Sequence, residues 1–255
     1  MKASEILSAA IESAKSRGRP ALVGFLTGGF PTRASFKANL AAVAGACDVV
    51  EIGVPFTDPM ADGTTIQRAS FVALADGVTL PWILGELKSL ELRHAAPILL
   101  MSYLNPLLAY GLERLPQDAA AAGVAGFIVP DLPFEESGEI KAALGREGLA
   151  LIQMVTPVTP AERLAMLCRA AEGFIYAVTM TGTTGKSVAV PDEVLAYMDR
   201  VKAVAKIPVC AGFGIRSRDQ ITRLGAHVDG VVIGSALVES LERGDDVAAF
   251  LTSLR

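Results

Sequence analysis

The chain has 255 residues, 51% of them hydrophobic and 20% charged, with a formal net charge of −4. That length and apolar content suit one α/β domain with a large core, and the acidic balance argues against a nucleic-acid partner, whose binders carry basic surfaces. Cys47, Cys168 and Cys210 form no Cys-x-x-Cys pair and read as reduced thiols. The acid-containing N-terminus is no secretory signal and no run approaches the ~18 apolar residues of a membrane span, so a cytoplasmic protein with no membrane contact is expected.

A leading helix is predicted near Ala3–Lys15, placed to close the bottom of a barrel. Eight short apolar runs then predict strands: Ala21–Thr27, Cys47–Gly53, Pro97–Tyr103, Gly126–Pro130, Ala150–Val155, Phe174–Thr179, Pro208–Gly212 and Gly230–Gly234. Several are continuously apolar and rich in Val and Ile, as parallel strands covered on both faces should be. Helical patterns fall between them at Ser35–Ala44, Leu80–His94, Pro160–Ala171 and Asp192–Ala205. Thr159 reads as an N-cap with Pro160 at the first helical position. This alternation predicts a single (β/α)8 TIM barrel domain over residues 1–255 with an N-terminal extra helix; a doubly wound open sheet is the second choice. The stretch from Val54 to Ala96 is longer than one helix requires, and long connections in compact domains often carry function.

Glu51 stands inside the apolar second strand, on the face it shares with Val49 and Gly53. A carboxyl inside a barrel, near the C-terminal ends of its strands, is a candidate general acid/base; a structural Glu paired with Arg is the plainer alternative. The following loop carries Asp58 and Asp62, which brings a second carboxylate to the same mouth. Gly-rich turns follow the late strands: Thr181–Gly185, Ala211–Ile215 and Val232–Ala236. Backbone amides there, and at a helix start, can hold a phosphate. His94 and His227, one on a helix and one in a connection, cannot build a His-rich metal centre, and no lysine lies in a predicted strand to form a Schiff base. Carboxylate chemistry without a metal or a cofactor in this chain is expected.

The run Glu51–Gln67, together with Phe25–Thr27, Leu99–Pro106, Gly126–Pro133, Gly182–Gly185, Gly212–Gly214 and Gly234–Ser235, closely resembles the tryptophan synthase alpha subunit family across essentially the whole chain. The resemblance implies a lyase of tryptophan biosynthesis, cleaving indole-3-glycerol phosphate into indole and glyceraldehyde 3-phosphate. It implies Glu51 and Asp62 as catalytic carboxylates and Gly185, Gly214, Gly234 and Ser235 as phosphate contacts. Phe25, Leu100, Met101, Ile128, Met154, Tyr176 and Phe213 would line the indole pocket. A pyridoxal-phosphate beta subunit would be the partner in an α2β2 heterotetramer. It would be met through Asp58, Pro59, Asn105, Pro106, Asp131, Pro133 and Thr184, with the pyridoxal phosphate held by that partner. Thr64, where the family often has Pro, and the run Lys186–Val190 depart from the family pattern. A free-standing indole-3-glycerol-phosphate lyase would use the same residues and is the alternative.

Overall fold

The computed structural model describes residues 2–90, 96–179, 190–212 and 214–255. Among the described residues there are nine strands: β1 Ala21–Thr27, β2 Val49–Gly53, β3 Ile98–Met101, β4 Val124–Ile128, β5 Ala150–Leu151, β6 Gln153–Val155, β7 Ile175–Val178, β8 Val209–Gly212 and β9 Gly230–Ile233. Their spatial order is β5-β4-β3-β2-β1-β9-β8-β7-β6, and every pairing is parallel. Only Ile152 separates β5 from β6. The two ends of the sheet order are therefore one stretch of chain, and the sheet closes on itself as a nearly complete barrel. Counted with Ala150–Val155 as one interrupted strand, these are the eight expected strands.

The helices run α1 Ala3–Ser16, α2 Phe36–Ala46, α3 Thr64–Ala75, α4 Leu80–Lys88, α5 Leu104–Tyr110, α6 Leu115–Ala121, α7 Gly138–Arg146, α8 Ala161–Ala170, α9 Asp192–Val204, α10 Arg218–Gly225, α11 Ser235–Arg243 and α12 Val247–Ser253. The long connection after β2 holds two helices, α3 and α4. The pattern read over Leu80–His94 ends as helix at Lys88, and residues 91–95 lie outside the described residues. Thr159 is not the cap of α8. Its hydroxyl accepts the Thr156 N–H at 3.0 Å in the preceding turn, and Pro160 takes the capping position instead. The oxygen that would cap forward is already used backward.

Which face of each strand looks inward follows from one glycine. A Cβ on Gly24 would lie 2.8 Å from Val43 of α2 and 3.5 Å from Leu237 of α11, so Gly24 faces the helices. Val23, Phe25 and Thr27 therefore face the interior. Parallel register carries this round the barrel: Phe25 pairs with Glu51, Glu51 with Leu99, and Gly53 with Met101. Met101 pairs with Ile128, and Tyr176 with Met154 and Cys210. Leu100 pairs with Ile52, whose side chain shares the helix-facing side with Gly24 and Val50. The expectation that Leu100 lines an interior pocket is thus corrected. Neighbouring residues on a strand point to opposite faces, and with Met101 inside, the interior leucine is Leu99.

The bottom of the barrel is sealed by α1, which buries Leu7, Ile11 and Ala14 completely. Ser8 Oγ donates to the Gly173 carbonyl at 2.5 Å, and Lys15 reaches Asp229 at 2.7 Å. Asp229 also accepts the Val209 N–H at 2.8 Å and pairs with Lys202; Asp48 accepts the Leu22 N–H at 2.9 Å and pairs with Arg19. Both carboxylates sit below their ordinary pKa because these cations and amides stabilise the charge against burial. These two ionic clusters thus sit at the N-terminal ends of the strands. The opposite end is left free for loops, where the active sites of such barrels lie.

Candidate functional site

One cavity opens at the C-terminal end of the barrel, and its lining includes Glu51, Asp62, Phe25, Met101 and Tyr176 together with Gly214, Gly234 and Ser235. Glycines make room for its two rings. A Cβ at Gly53 would come within 2.6 Å of Phe25 Cζ, and one at Gly212 within 2.3 Å of Tyr176 Oη. Any side chain at either position would displace the aromatic ring packed across it.

Glu51 is 1% exposed, and its Oε2 has no hydrogen-bond partner among the described residues. Among the described residues no cation pairs with it, as the Arg-paired structural alternative would require. Burial, reinforced by the nearby charge of Asp62, pushes its pKa up to about 8. The neutral acid therefore predominates at neutral pH. Thr27 Oγ1, on the adjoining strand and also facing inward, is the second unpartnered polar atom at this level of the barrel. Buried orphans of this kind mark positions where a ligand supplies the missing partner.

Asp62 arrives from the loop after β2. Its backbone carbonyl accepts from Gln67 Nε2 at 2.9 Å, which folds the loop onto the start of α3. Its Oδ2 accepts from Tyr103 Oη at 3.2 Å, while the same Tyr103 oxygen accepts the Ala61 N–H at 2.8 Å. Tyr103 is itself held by stacking on Phe56, ring centroids 5.1 Å apart. Burial raises the Asp62 pKa to about 6, and the Tyr103 hydrogen bond pulls against that rise. Gly63, Thr64, Thr65 and Ile66 at the head of α3 line the cavity beside it. The positive end of that helix dipole favours the aspartate anion. At neutral pH one carboxyl is mainly protonated and the other mainly ionised, a division of labour suited to acid–base chemistry.

This pair has a consequence for stability. Glu51 has its ordinary pKa of 4.5 when unfolded and about 8 when folded. Ionisation adds no cost to its burial below the lower value, adds about 1.4 kcal/mol for each pH unit between the two, and adds no more above the higher. Glu51→Gln, which cannot ionise, should therefore gain thermal stability over the parent as pH rises through that window. Melting both proteins at about pH 5 and about pH 8.5 checks it; parallel curves would mean that Glu51 is not held as a buried acid.

The phosphate-type features gather where β8 and β9 end and α11 begins. Gly214 has φ +79°, a left-handed backbone that favours glycine, and Gly234 caps α11, its carbonyl accepting the N–H groups of Leu237 and Val238 at 2.9 and 3.0 Å. Ser235 opens that nine-residue helix. Backbone amides and a dipole end thus face the cavity together. Among the described residues, no group of three His, Cys, Asp or Glu comes together to hold a metal ion.

Other expected site residues are placed as follows. Ile128 faces inward beside Met101 but does not line the cavity; Met154 shares Tyr176's face by register and lines a neighbouring cavity beside β6. Thr184, Gly185 and Phe213 lie outside the described residues. Asp58 is exposed and hydrogen-bonded to Thr57 Oγ1 at 2.5 Å, and Pro59 beside it is buried. Asn105 and Pro106 belong to the first turn of α5, where a proline costs no helical hydrogen bond. Asp131 Oδ1 accepts the Leu104 N–H at 2.9 Å and so ties the loop after β4 to the start of that helix; Pro133 is exposed nearby. Sequence reasoning assigned no role to Tyr103, Ile66 or Arg216. Tyr103 carries a visible signal, a polar-tipped aromatic just past the end of a barrel strand. Arg216 does as well, as a cation two residues beyond Gly214.

Comparison with known proteins accords with this geometry. The family model described as "Tryptophan synthase alpha chain" matches residues 11–253. The chain is 46% identical over 251 residues to the tryptophan synthase alpha chain of Solidesulfovibrio magneticus, covering 98% of each, and 47% identical over 249 residues to that of Desulfovibrio desulfuricans, covering 96% of this chain and 98% of the other. Among solved structures it is similar to tryptophan synthase from M. tuberculosis in its aminoacrylate-bound form, with a TM-score of 0.87, 35% identity, and 98% and 97% of the two chains covered. It is also similar to tryptophan synthase subunit alpha from Legionella pneumophila, with a TM-score of 0.88, 30% identity, and 100% and 97% covered.

Proposed function

The chain belongs to the tryptophan synthase alpha chain family, and from that premise we propose that Glu51 and Asp62 are its acid–base pair and that Gly214, Gly234 and Ser235, with Gly185, receive the substrate phosphate. The reaction is the alpha reaction, cleavage of indole-3-glycerol phosphate to indole and glyceraldehyde 3-phosphate. The observation that carries the assignment is that both carboxyls and the Gly214–Ser235 wall border one cavity.

The chemistry closes on these two groups. Neutral Glu51 gives its proton to indole C3, and positive charge develops at the ring nitrogen. Ionised Asp62 faces that N–H and stabilises the charge, an electrostatic contribution that a water-poor site enlarges. The bond from C3 to the glycerol carbon breaks, its electron pair returns to the ring, and the adjacent hydroxyl becomes the aldehyde. Glu51, now a carboxylate, takes the hydroxyl proton and is restored. Phe25, Met101 and Tyr176 form the indole wall, with Ile128 and Met154 behind it; Phe213 is assigned to it by the family resemblance alone.

The pKa values set the pH dependence. kcat/KM should rise as Asp62 ionises near 6 and fall as Glu51 ionises near 8. A substrate phosphate also ionises near ~6, so the acidic limb needs assigning. Tyr103→Phe removes a bond that lowers the Asp62 pKa and should move that limb upward. A limb that stays put belongs to the phosphate, and an enzyme without cleavage at any pH would end this reading.

The same loops support a beta subunit as partner in an α2β2 assembly, with pyridoxal phosphate in that partner. Met60 is 91% exposed in the loop after β2, and Leu108 on α5 and Val158 after β6 also present apolar side chains to solvent at this end of the barrel. Asp58, Pro59, Asn105, Pro106, Asp131 and Pro133 belong to the same rim, and Thr184 is assigned to the interface by the family resemblance alone. No single helix among the described residues is long and apolar enough to cross a membrane, and the reading places the enzyme in the cytoplasm.

A further inference from the structure

Arg216 lines the cavity at the wall formed by Gly214, Gly234 and Ser235, and no other cation is among the described residues bordering it. Its Nη2 stands 3.4 Å from Ser235 Oγ at the first turn of α11. One turn further along that helix, Glu239 accepts from Nη1 and from Nη2, each at 2.7 Å. Glu239 also accepts from Thr65 Oγ1 at 3.1 Å, and Thr65 lines the same cavity. The guanidinium is thereby fixed across the N-terminal end of the helix, although its side chain is still 45% exposed.

We propose that Arg216 is a ligand of the substrate phosphate, oriented for it by Glu239. The inference rests on the phosphate reading of this wall. A phosphate ester entering the cavity meets two carboxyls at one end, and neutral amides at the other offer only partial charges against its two negative charges. Glu239 takes two of the five N–H donors of the guanidinium and Ser235 Oγ, at 3.4 Å, a third; the other two remain for phosphate oxygens. The bidentate pair holds the planar fork in place before the anion arrives, so little side-chain freedom is lost on binding. Glu239 has an opposing effect as well: its charge attenuates the attraction that Arg216 offers to an anion. The two partners of this ion pair therefore act on phosphate affinity in opposite directions, which a purely structural bridge does not do.

The test is calorimetric titration with glycerol 3-phosphate of the parent chain, Arg216→Ala, Arg216→Gln and Glu239→Gln, with steady-state cleavage alongside. Both Arg216 variants should bind the probe about tenfold more weakly or worse, the loss of a charge-assisted hydrogen bond, and the effect in cleavage should fall on KM more than on kcat. Glu239→Gln should bind the probe more tightly than the parent. Equal affinity in the parent and the Arg216 variants would overturn the proposal. So would parallel weakening in Arg216→Ala and Glu239→Gln, which is the result for a bridge that only braces α11. Failure of the parent itself to bind glycerol 3-phosphate would instead remove the phosphate site on which the proposal rests.

Discussion

Glu51→Gln lowers kcat for indole-3-glycerol phosphate cleavage by about 10³-fold or more and leaves the dissociation constant for glycerol 3-phosphate unchanged. The amide matches the carboxyl in size and can occupy the same interior position between Val49 and Gly53 on β2. What it lacks is a proton to give to carbon and the basicity to take one from the hydroxyl. Glu51 serves both steps in turn, so its loss removes both ends of the proton path. The environment explains why no other group substitutes. Burial holds the pKa near 8, close enough to neutral pH that donation and recovery are both favourable, whereas an exposed carboxyl would be ionised and could not donate. Binding is spared because the phosphate wall is built by residues that follow β8 and β9 and open α11, not by β2. A loss of only a few-fold in kcat would show that another group moves the proton.

The barrel was legible because its strands are continuous apolar runs. Glu51 was legible because a carboxyl interrupting such a run has few structural uses. Period-two alternation, applied strictly, would also have separated Leu100 from Met101, since adjacent strand residues cannot share the interior; matching to a family motif overrode that simple geometry. The helix α3 was missed for a different reason. It buries only the small residues Ala69, Ser70 and Ala73, while Phe71 and Val72 on its outer face are 51% and 41% exposed. Its hydrophobic residues therefore report solvent, not core, and the usual stripe is absent. Tyr103 and Arg216 were not assigned because their roles depend on partners distant in sequence: Asp62 lies 41 positions from Tyr103, and Glu239 lies 23 from Arg216. Composition and spacing carry no record of such pairings; only closure of the barrel, which brings β2, β3, β8 and β9 to one mouth, creates them.

Asp62→Asn should lower kcat by about 10² to 10³-fold while changing the affinity for an uncleavable indole-alkyl phosphate far less. Asparagine keeps the size and can still meet Tyr103 through its side-chain oxygen, so the loop fixed by the Ala61–Tyr103 and Asp62–Gln67 hydrogen bonds has no reason to move. The missing element is the negative charge. In the ground state the indole N–H is neutral, and an amide oxygen accepts its hydrogen bond nearly as well. Once C3 is protonated the ring is cationic, and a full charge at short range in a half-enclosed site stabilises it far more than a dipole does. The loss therefore falls on the transition state. A second readout separates this from misplacement: the charge of Asp62 helps hold the Glu51 pKa up, so in Asp62→Asn the alkaline limb of residual activity should move to lower pH. Inhibitor affinity falling in parallel with rate, with the alkaline limb unmoved, would make Asp62 a binding group for the indole and leave charge stabilisation to be found elsewhere in the cavity.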